Sequence, residues 1–444
     1  MKKSLIALAV AGTFTAPTAF AATANVDVYG LLNVTVDNVD NGVNKKSRIT
    51  TGNNSALGFK GSEDLGGGLK AIWQVEVNVS MDGDSGSTAN VTPTAITGTT
   101  TIAGGGTTYT TGSANNTVRV PSPAGGLNGI RNTFLGLSGG FGTVLMGVHD
   151  TPYKLSTGRL DNFSGTLGDY NSIMGAYSFC FTSDCNTAAE EQGNASSQFD
   201  LRAGNVIAYV SPNLQGFQGR LGYVMSGDDD FGSTRPLKKS NAWSMDVSYT
   251  QGPLFLTAAY EKHNIETATR TYVFGGDVAW NILGPANASG GVLLLGNCVP
   301  NTTITPNIIC EKVERTAWKI GGGYKFGDLS LGAIWENIDL DVGVVSFDRN
   351  AWMLNAGYAM GPVTLKAMYL KADDFDGSTD TGAKQWNLGV DYALSKRTMV
   401  QFVYAKLDND ANAAYRLSQG SNAVGSAGAG RDQDGFAIGI RHSF

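Results

Sequence analysis

The chain ends D-G-F-A-I-G-I-R-H-S-F, residues 434–444. Alternate residues Phe436, Ile438, Ile440, His442 and Phe444 are bulky and mostly apolar, whereas Ala437, Gly439, Arg441 and Ser443 are small or polar. Strict alternation of this kind marks a β-strand with one apolar face. A strand that stops on phenylalanine, with that ring on its apolar face, raises the question of what the ring touches.

The same plan recurs through the chain. Leu69, Ala71, Trp73, Val75 and Val77 alternate with Lys70, Gln74 and Glu76. Trp318, Ile320, Gly322 and Tyr324 precede the turn K-F-G-D, and Leu329, Leu331, Ala333 and Trp335 follow it. Trp386, Leu388, Val390 and Tyr392 repeat the pattern before L-S-K-R. Starting from a first strand over 26–36, about sixteen such segments are predicted. Short turns join them in pairs, and long polar segments at 80–129, 150–204, 264–314 and 409–433 separate the pairs.

That asymmetry argues against a sandwich and for a transmembrane barrel, with short turns on the periplasmic side and long loops outside. Tyr and Trp recur near strand ends with smaller apolar residues between, which predicts a lipid-facing band with aromatic girdles. The other face reads as polar and therefore as the wall of a water-filled lumen. Every backbone N–H and C=O must pair inside hydrocarbon, so the sheet must close, and the last strand is expected beside the first. No segment after the N-terminal leader has the run of 18 or more apolar residues needed by a membrane helix.

Composition agrees. The chain has 444 residues, 59 glycines, 16% charged residues and a formal net charge of −6. The low charge and abundant glycine suit an all-β protein, and the acidic balance argues against nucleic acid as a partner. The histidines, His149, His263 and His442, are scattered, so neither a metal centre nor a His-dependent catalytic group is predicted, and no cofactor is expected. Lys2 and Lys3, an apolar stretch and Ala19-Phe20-Ala21 read as a secretory signal over 1–21, with one mature domain over 22–444. In an oxidising compartment four cysteines allow three pairings, and the local one, Cys180 with Cys185 and Cys298 with Cys310, is the expectation.

Five stretches carry a resemblance: V-D-V-Y-G-L-L-N (26–33), S-A-L-G-F-K-G-S-E-D-L-G-G-G-L-K-A-I-W-Q-V-E (55–76), F-L-G-L-S-G-G-F-G-T-V-L-M-G (134–147), N-V-I-A-Y-V-S-P (205–212) and the terminal G-I-R-H-S-F. Together they resemble the Gram-negative porins of β-proteobacteria, along essentially the whole mature chain. The resemblance implies an all-β, antiparallel barrel of about sixteen strands in the outer membrane. It implies a homotrimer among outer-membrane lipid and lipopolysaccharide, passing small hydrophilic solutes and ions. Phe444 then resembles the signal read by the barrel-assembly machinery.

In this family the loop after strand 5 folds inward as a constriction. By position it spans about 149–203, so Asp150, Lys154, Arg159, Asp161 and Asp169 become candidate selectivity residues, with Arg131, Arg202 and Lys60 on the wall. Arg220, Lys319 and Lys366 are further inward candidates by alternation. Relatives often carry arginine where this chain has Ala56, Val148 and Ala208, so the basic ladder is thinned and a weak cation preference is expected. The loop aromatics Tyr153, Phe163, Tyr170, Tyr177, Phe179 and Phe181 are expected to pin the loop to the wall, the rival being a stacking surface for an aromatic or anionic solute.

Overall fold

A computed structural model describes residues 25–51, 54–81, 126–176, 199–225, 237–267, 271–272, 298–301, 307–310, 312–341, 346–417 and 428–444. The first part of the wall comprises β1 Asn25–Asp40, β2 Lys45–Thr51, β3 Ala56–Gly66, β4 Leu69–Ser80, β5 Gly126–Ile130, β6 Thr133–Gly139 and β7 Gly142–Asp150. A short helix, α1 Pro152–Thr157, follows β7. The wall resumes with β8 Arg202–Val210, β9 Phe217–Val224, β10 Leu237–Gln251 and β11 Leu254–Thr267. A separate three-stranded sheet joins β12 Thr271–Tyr272, β13 Cys298–Asn301 and β14 Asn307–Cys310. The wall is completed by β15 Lys312–Phe326, β16 Leu329–Asp341, β17 Ser346–Met360, β18 Val363–Ala372, β19 Ala383–Ala393, β20 Thr398–Asn409 and β21 Gln433–Ser443.

All eighteen wall strands belong to one sheet. Its described ladders are antiparallel, each strand pairing with its sequence neighbour in the wall. The ring closes where β1 pairs with β21, from Leu31 opposite Ser443 to Asp40 opposite Asp434. β2 and β3 pair with successive halves of β1, and β5 and β6 both pair with β4. Each of these pairs forms one stave, so the barrel has sixteen staves, as the alternation predicts.

Outward residues are large and apolar: Val36, Leu135, Met146, Trp243, Trp318, Leu354, Trp386, Phe402 and Ile438 are all exposed. Aromatic neighbours run as a belt, with Tyr223 against Trp243 at 4.5 Å, Trp318 against Trp335 at 4.6 Å, Trp352 against Tyr369 at 5.0 Å and Tyr369 against Trp386 at 4.2 Å. Such a surface is stable only against hydrocarbon or another protein.

The terminal phenylalanine completes the seam. Its backbone exchanges two hydrogen bonds of 3.0 Å with Gly30. A Cβ built on Gly30 would lie 2.3 Å from the Phe444 ring, so only glycine leaves the ring its place.

The inner face departs from expectation. It is polar on much of the wall, but Met353, Met368, Leu370, Val403 and Leu407 point inward from β17 to β20 and are buried. They form one apolar core with Phe163, Leu167, Ile173 and Met174 of the segment after β7 and with Tyr415 and Leu417 after β20. The polar-lumen prediction therefore fails on that side. Packed apolar surface excludes water, at roughly 25 cal/mol for each Å² removed from solvent.

Residues 1–24, including the signal expected over 1–21, lie outside the described residues, as do Cys180, Cys185, Tyr177, Phe179 and Phe181. The β13–β14 register sets Cys298 opposite Cys310.

Candidate functional site

The segment between β7 and β8 lies inside the ring. Thr151 caps α1, its side chain accepting from Lys154 N, and Pro152 occupies the first turn, where its missing N–H costs nothing. The helix crosses the inner face of β10, where Tyr153 N donates to Ser244 Oγ at 2.9 Å. Leu160 then sits in a depression that β15 leaves open: a Cβ on Gly321 or Gly323 would come within 2.9 Å of its methyl groups. Asn162 donates to Ala356 O at 3.0 Å. The tip is caught on the other flank of the seam, Asn33 donating to Gly165 O at 2.8 Å and Asn54 to Ser164 Oγ at 2.9 Å. The return path is held by Asn387 on Gly168 O at 2.7 Å and by Arg349 on the carbonyls of Ile173 and Ala176.

Buried charge secures the same path. Lys319 pairs with Asp200, and Glu336 accepts from Tyr153 Oη and Gly175 N at 2.9 Å each. Phe199 stacks on His263, which is bonded to Glu261 at 2.8 Å. Tyr153, Phe163 and Tyr170 are buried against the wall, so these three aromatics pin the segment and offer no stacking surface to a solute.

Two of the predicted selectivity residues bond to the segment's own backbone. Asp161 accepts from Phe163 N at 2.8 Å and Tyr170 N at 3.3 Å; Asp169 accepts from Gly165 N at 2.8 Å and Asn171 N at 3.0 Å. Both are buried. They hold the turns of the segment, a use of Asp that family position alone does not reveal. Burial, then the charge of Asp169, pushes the Asp161 carboxyl well above the usual range, and burial raises Asp169 as well.

Lys60, Arg131, Asp150, Lys154 and Arg202 gather on the opposite bank, on β3 to β8. Arg131 pairs with Glu76 and donates to Asn78 at 3.1 Å. Asp150 lies 3.2 Å from Lys154 and 3.1 Å from Arg202. Lys60 is exposed, its amine 5.3 Å from the Tyr29 ring centre. Arg159, also exposed, stacks on Phe255 at 4.1 Å, farther along toward the short-turn end. Ala56 and Ala208 face inward and are buried, and Val148 falls at a register shift between Gly147 and His149. Arg220 pairs with Asp246, and Lys366 with Asp391. No group of three or more metal-ligating side chains occurs among the described residues.

A closed antiparallel barrel with an apolar exterior and a segment folded through its interior has close counterparts. A sequence profile of the Gram-negative porin family matches residues 6–412. The chain belongs to that family. Among the relatives of this porin, outer membrane porin protein 32 of Delftia acidovorans is 29% identical over 259 residues, 57% of this chain and 58% of that protein. The major outer membrane protein P.IB of Neisseria meningitidis is 28% identical over 273 residues, 59% and 60% of the two chains. The aligned part thus spans about three fifths of these relatives. An anion-selective porin from Comamonas acidovorans shares the porin's fold with a TM-score of 0.62 at 24% identity, covering 95% of this chain and all of that one. OmpT of Vibrio cholerae, in a trimer form, gives 0.57 at 17% identity over 95% of this chain.

Proposed function

We propose that the protein is a passive outer-membrane channel through which small hydrophilic solutes and ions diffuse unchanged. One observation carries this reading. The closed barrel is apolar outside, and inside it the segment 151–176 is packed against the far wall, leaving a charged, partly exposed bank on β3 to β8. Solutes are sieved by the width left beside that segment and biased by the lining charges. The bank presents Lys60, Arg131, Lys154 and Arg202 against Glu76, Asp150 and, opposite Lys60 on β1, Asp27. This surplus favours anions, the reverse of the sign expected from the acidic total, and it supports the anionic version of a solute-preferring channel over the aromatic one.

The aromatic belt supports a homotrimer. It runs from β8 to β21, but on β1 to β7 the outward aromatics among the described residues are few: Phe59, Trp73 and, in the β6–β7 turn, Phe141. Lipid-facing strands need interfacial aromatics, whereas strands facing a second copy do not. The remaining outward face meets lipid and lipopolysaccharide. Residues 1–21 are read as the signal removed during Sec export, and Phe444 as the mark recognised by the barrel-assembly machinery.

The test is planar-bilayer recording of the purified, refolded protein in a salt gradient. Conductance steps grouped in threes, with a reversal potential on the anion side, are expected. Absence of steps defeats the channel reading, and Met146→Arg leaving the trimer intact on native gels defeats the proposed interface.

A further inference from the structure

The tip of the inward segment, residues 163–168, lies across the line where the ring closes. On the β1 side Asn33 Nδ2 donates to Gly165 O at 2.8 Å, and Asn54 Nδ2, just before β3, donates to Ser164 Oγ at 2.9 Å. On the β19 side Asn387 Nδ2 donates to Gly168 O at 2.7 Å. Between these ties Leu167 covers β21, where a Cβ built on Gly435 would stand 3.0 Å from its methyl carbon. A further bond spans the seam itself: Gln401 Nε2 of β20 donates to Asn33 Oδ1 of β1 at 2.7 Å, reaching over β21. The register shows how. Gln401 stands opposite Gly439, and Gly439 opposite Thr35, so the strand between carries no side chain in that row. One amide, that of Asn33, thus accepts from β20 and donates to the tip, while its backbone N–H goes to Ser55 Oγ at 2.9 Å. Asn33, Gln401 and Asn387 are all buried, so losing any of these bonds leaves a polar group stranded away from water.

We propose that residues 163–168 act as a strap that locks the β1–β21 seam from inside, with Asn33 and Gln401 as its positioning residues. The ladder between β1 and β21 holds the seam within the sheet. The strap adds a second layer, tying β1 to β20 and β19 over the inner face of β21, so a seam that parts must break both. The dependence also runs the other way. The Asn33 amide meets Gln401 only when β21 lies between β1 and β20, so the tip takes its final seat after the ring has closed. The segment that narrows the interior thereby also fastens the wall. This inference goes beyond the channel reading and does not depend on it, because it concerns the lifetime of the closed barrel.

The experiment follows the folded full chain in denaturing detergent and reads, over time, the fraction that keeps its folded gel mobility. Asn33→Ala and Gln401→Ala should each shorten that lifetime about tenfold, the scale of one lost buried hydrogen bond. Combined, they should shorten it by less than the product of the two, because they share one tie. A disulfide between Val36→Cys and Ile438→Cys, which stand opposite each other on the outward faces of β1 and β21, should erase the deficit. Asn162→Ala, which frees the same segment from β17 and not from the seam, should keep a near-parental lifetime. A parental lifetime in Gln401→Ala overturns the proposal, and that variant decides the matter alone where Asn33→Ala fails to assemble. A deficit that persists under the disulfide, or an equal loss in Asn162→Ala, overturns it as well, since the ties would then stabilise the segment and not the seam.

Discussion

Tyr153 of the inward segment donates its phenolic hydrogen to Glu336 of β16 at 2.9 Å, and neither side chain retains any solvent exposure. The same carboxylate accepts from Gly175 N and lies 3.5 Å from Arg349. One wall residue thus grips both the outgoing and the returning limb of the segment.

Removing that grip should loosen the segment without opening the barrel. Glu336→Ala leaves Arg349 buried with its charge uncompensated, a loss of about 3–5 kcal/mol. Tyr153→Phe removes one neutral donor and should lose only about 1–2 kcal/mol. Limited proteolysis within 151–176, and current noise in bilayers, should rank the variants in that order. Equal resistance of both variants would show that the grip adds nothing to the apolar packing.

The apolar core on the β17 to β20 side predicts that solutes never touch it. A charged thiol reagent added to Val403→Cys, read against the parent chain, should leave conductance unchanged. The same reagent on Gln74→Cys, on the partly exposed bank, should reduce it severalfold. Block through position 403 would mean that this half conducts.

Acid should tighten the inward segment. The folded-state pKa values of Asp161 and Asp169 stand above the unfolded value of about 3.9, so the native chain binds more protons than the unfolded one. Their contribution to stability is full below that unfolded value and is lost as pH rises through the raised folded values. Proteolysis of 151–176 by an acid-tolerant protease should therefore slow as pH falls from 7 toward 4. Asp161→Asn should flatten this dependence; an unchanged slope would place the effect elsewhere.

Phe444 and Gly30 should fail together. Deleting Phe444 removes two seam hydrogen bonds, and Gly30→Val displaces the ring. Both should lower the yield of folded barrel, measured by gel mobility with and without heating. A normal yield from the deletion would remove any role for the ring in assembly.

The outward face was legible because each stave repeats its own evidence, as in Trp386, Leu388, Val390 and Tyr392, and hydrocarbon imposes a constraint on every one of them. The dry inner side was also written in the chain. W-M-L at 352–354 and A-M-Y-L at 367–370 are continuous apolar runs, and such runs signal burial on both faces. Reading only every second residue hides Met353 and Leu370. β2 was not legible, since K-K-S-R-I-T-T has no apolar alternation and is shaped by pairing with β1. The fates of Asp161 and Asp169 were illegible for a different reason. Whether a loop carboxylate faces water or its own backbone depends on turn geometry that neighbouring letters leave open.

The seam between β1 and β21 sets how the molecule comes apart. Ten residue pairs join the two strands, and the described wall has no loose margin from which a strand can be drawn off singly. Unravelling must begin by rupturing a whole ladder at once, a step with a high barrier whatever the final balance of energies. Persistence of this protein is therefore a matter of rate. In denaturing detergent it should survive for long periods and then collapse steeply over a narrow interval of heating.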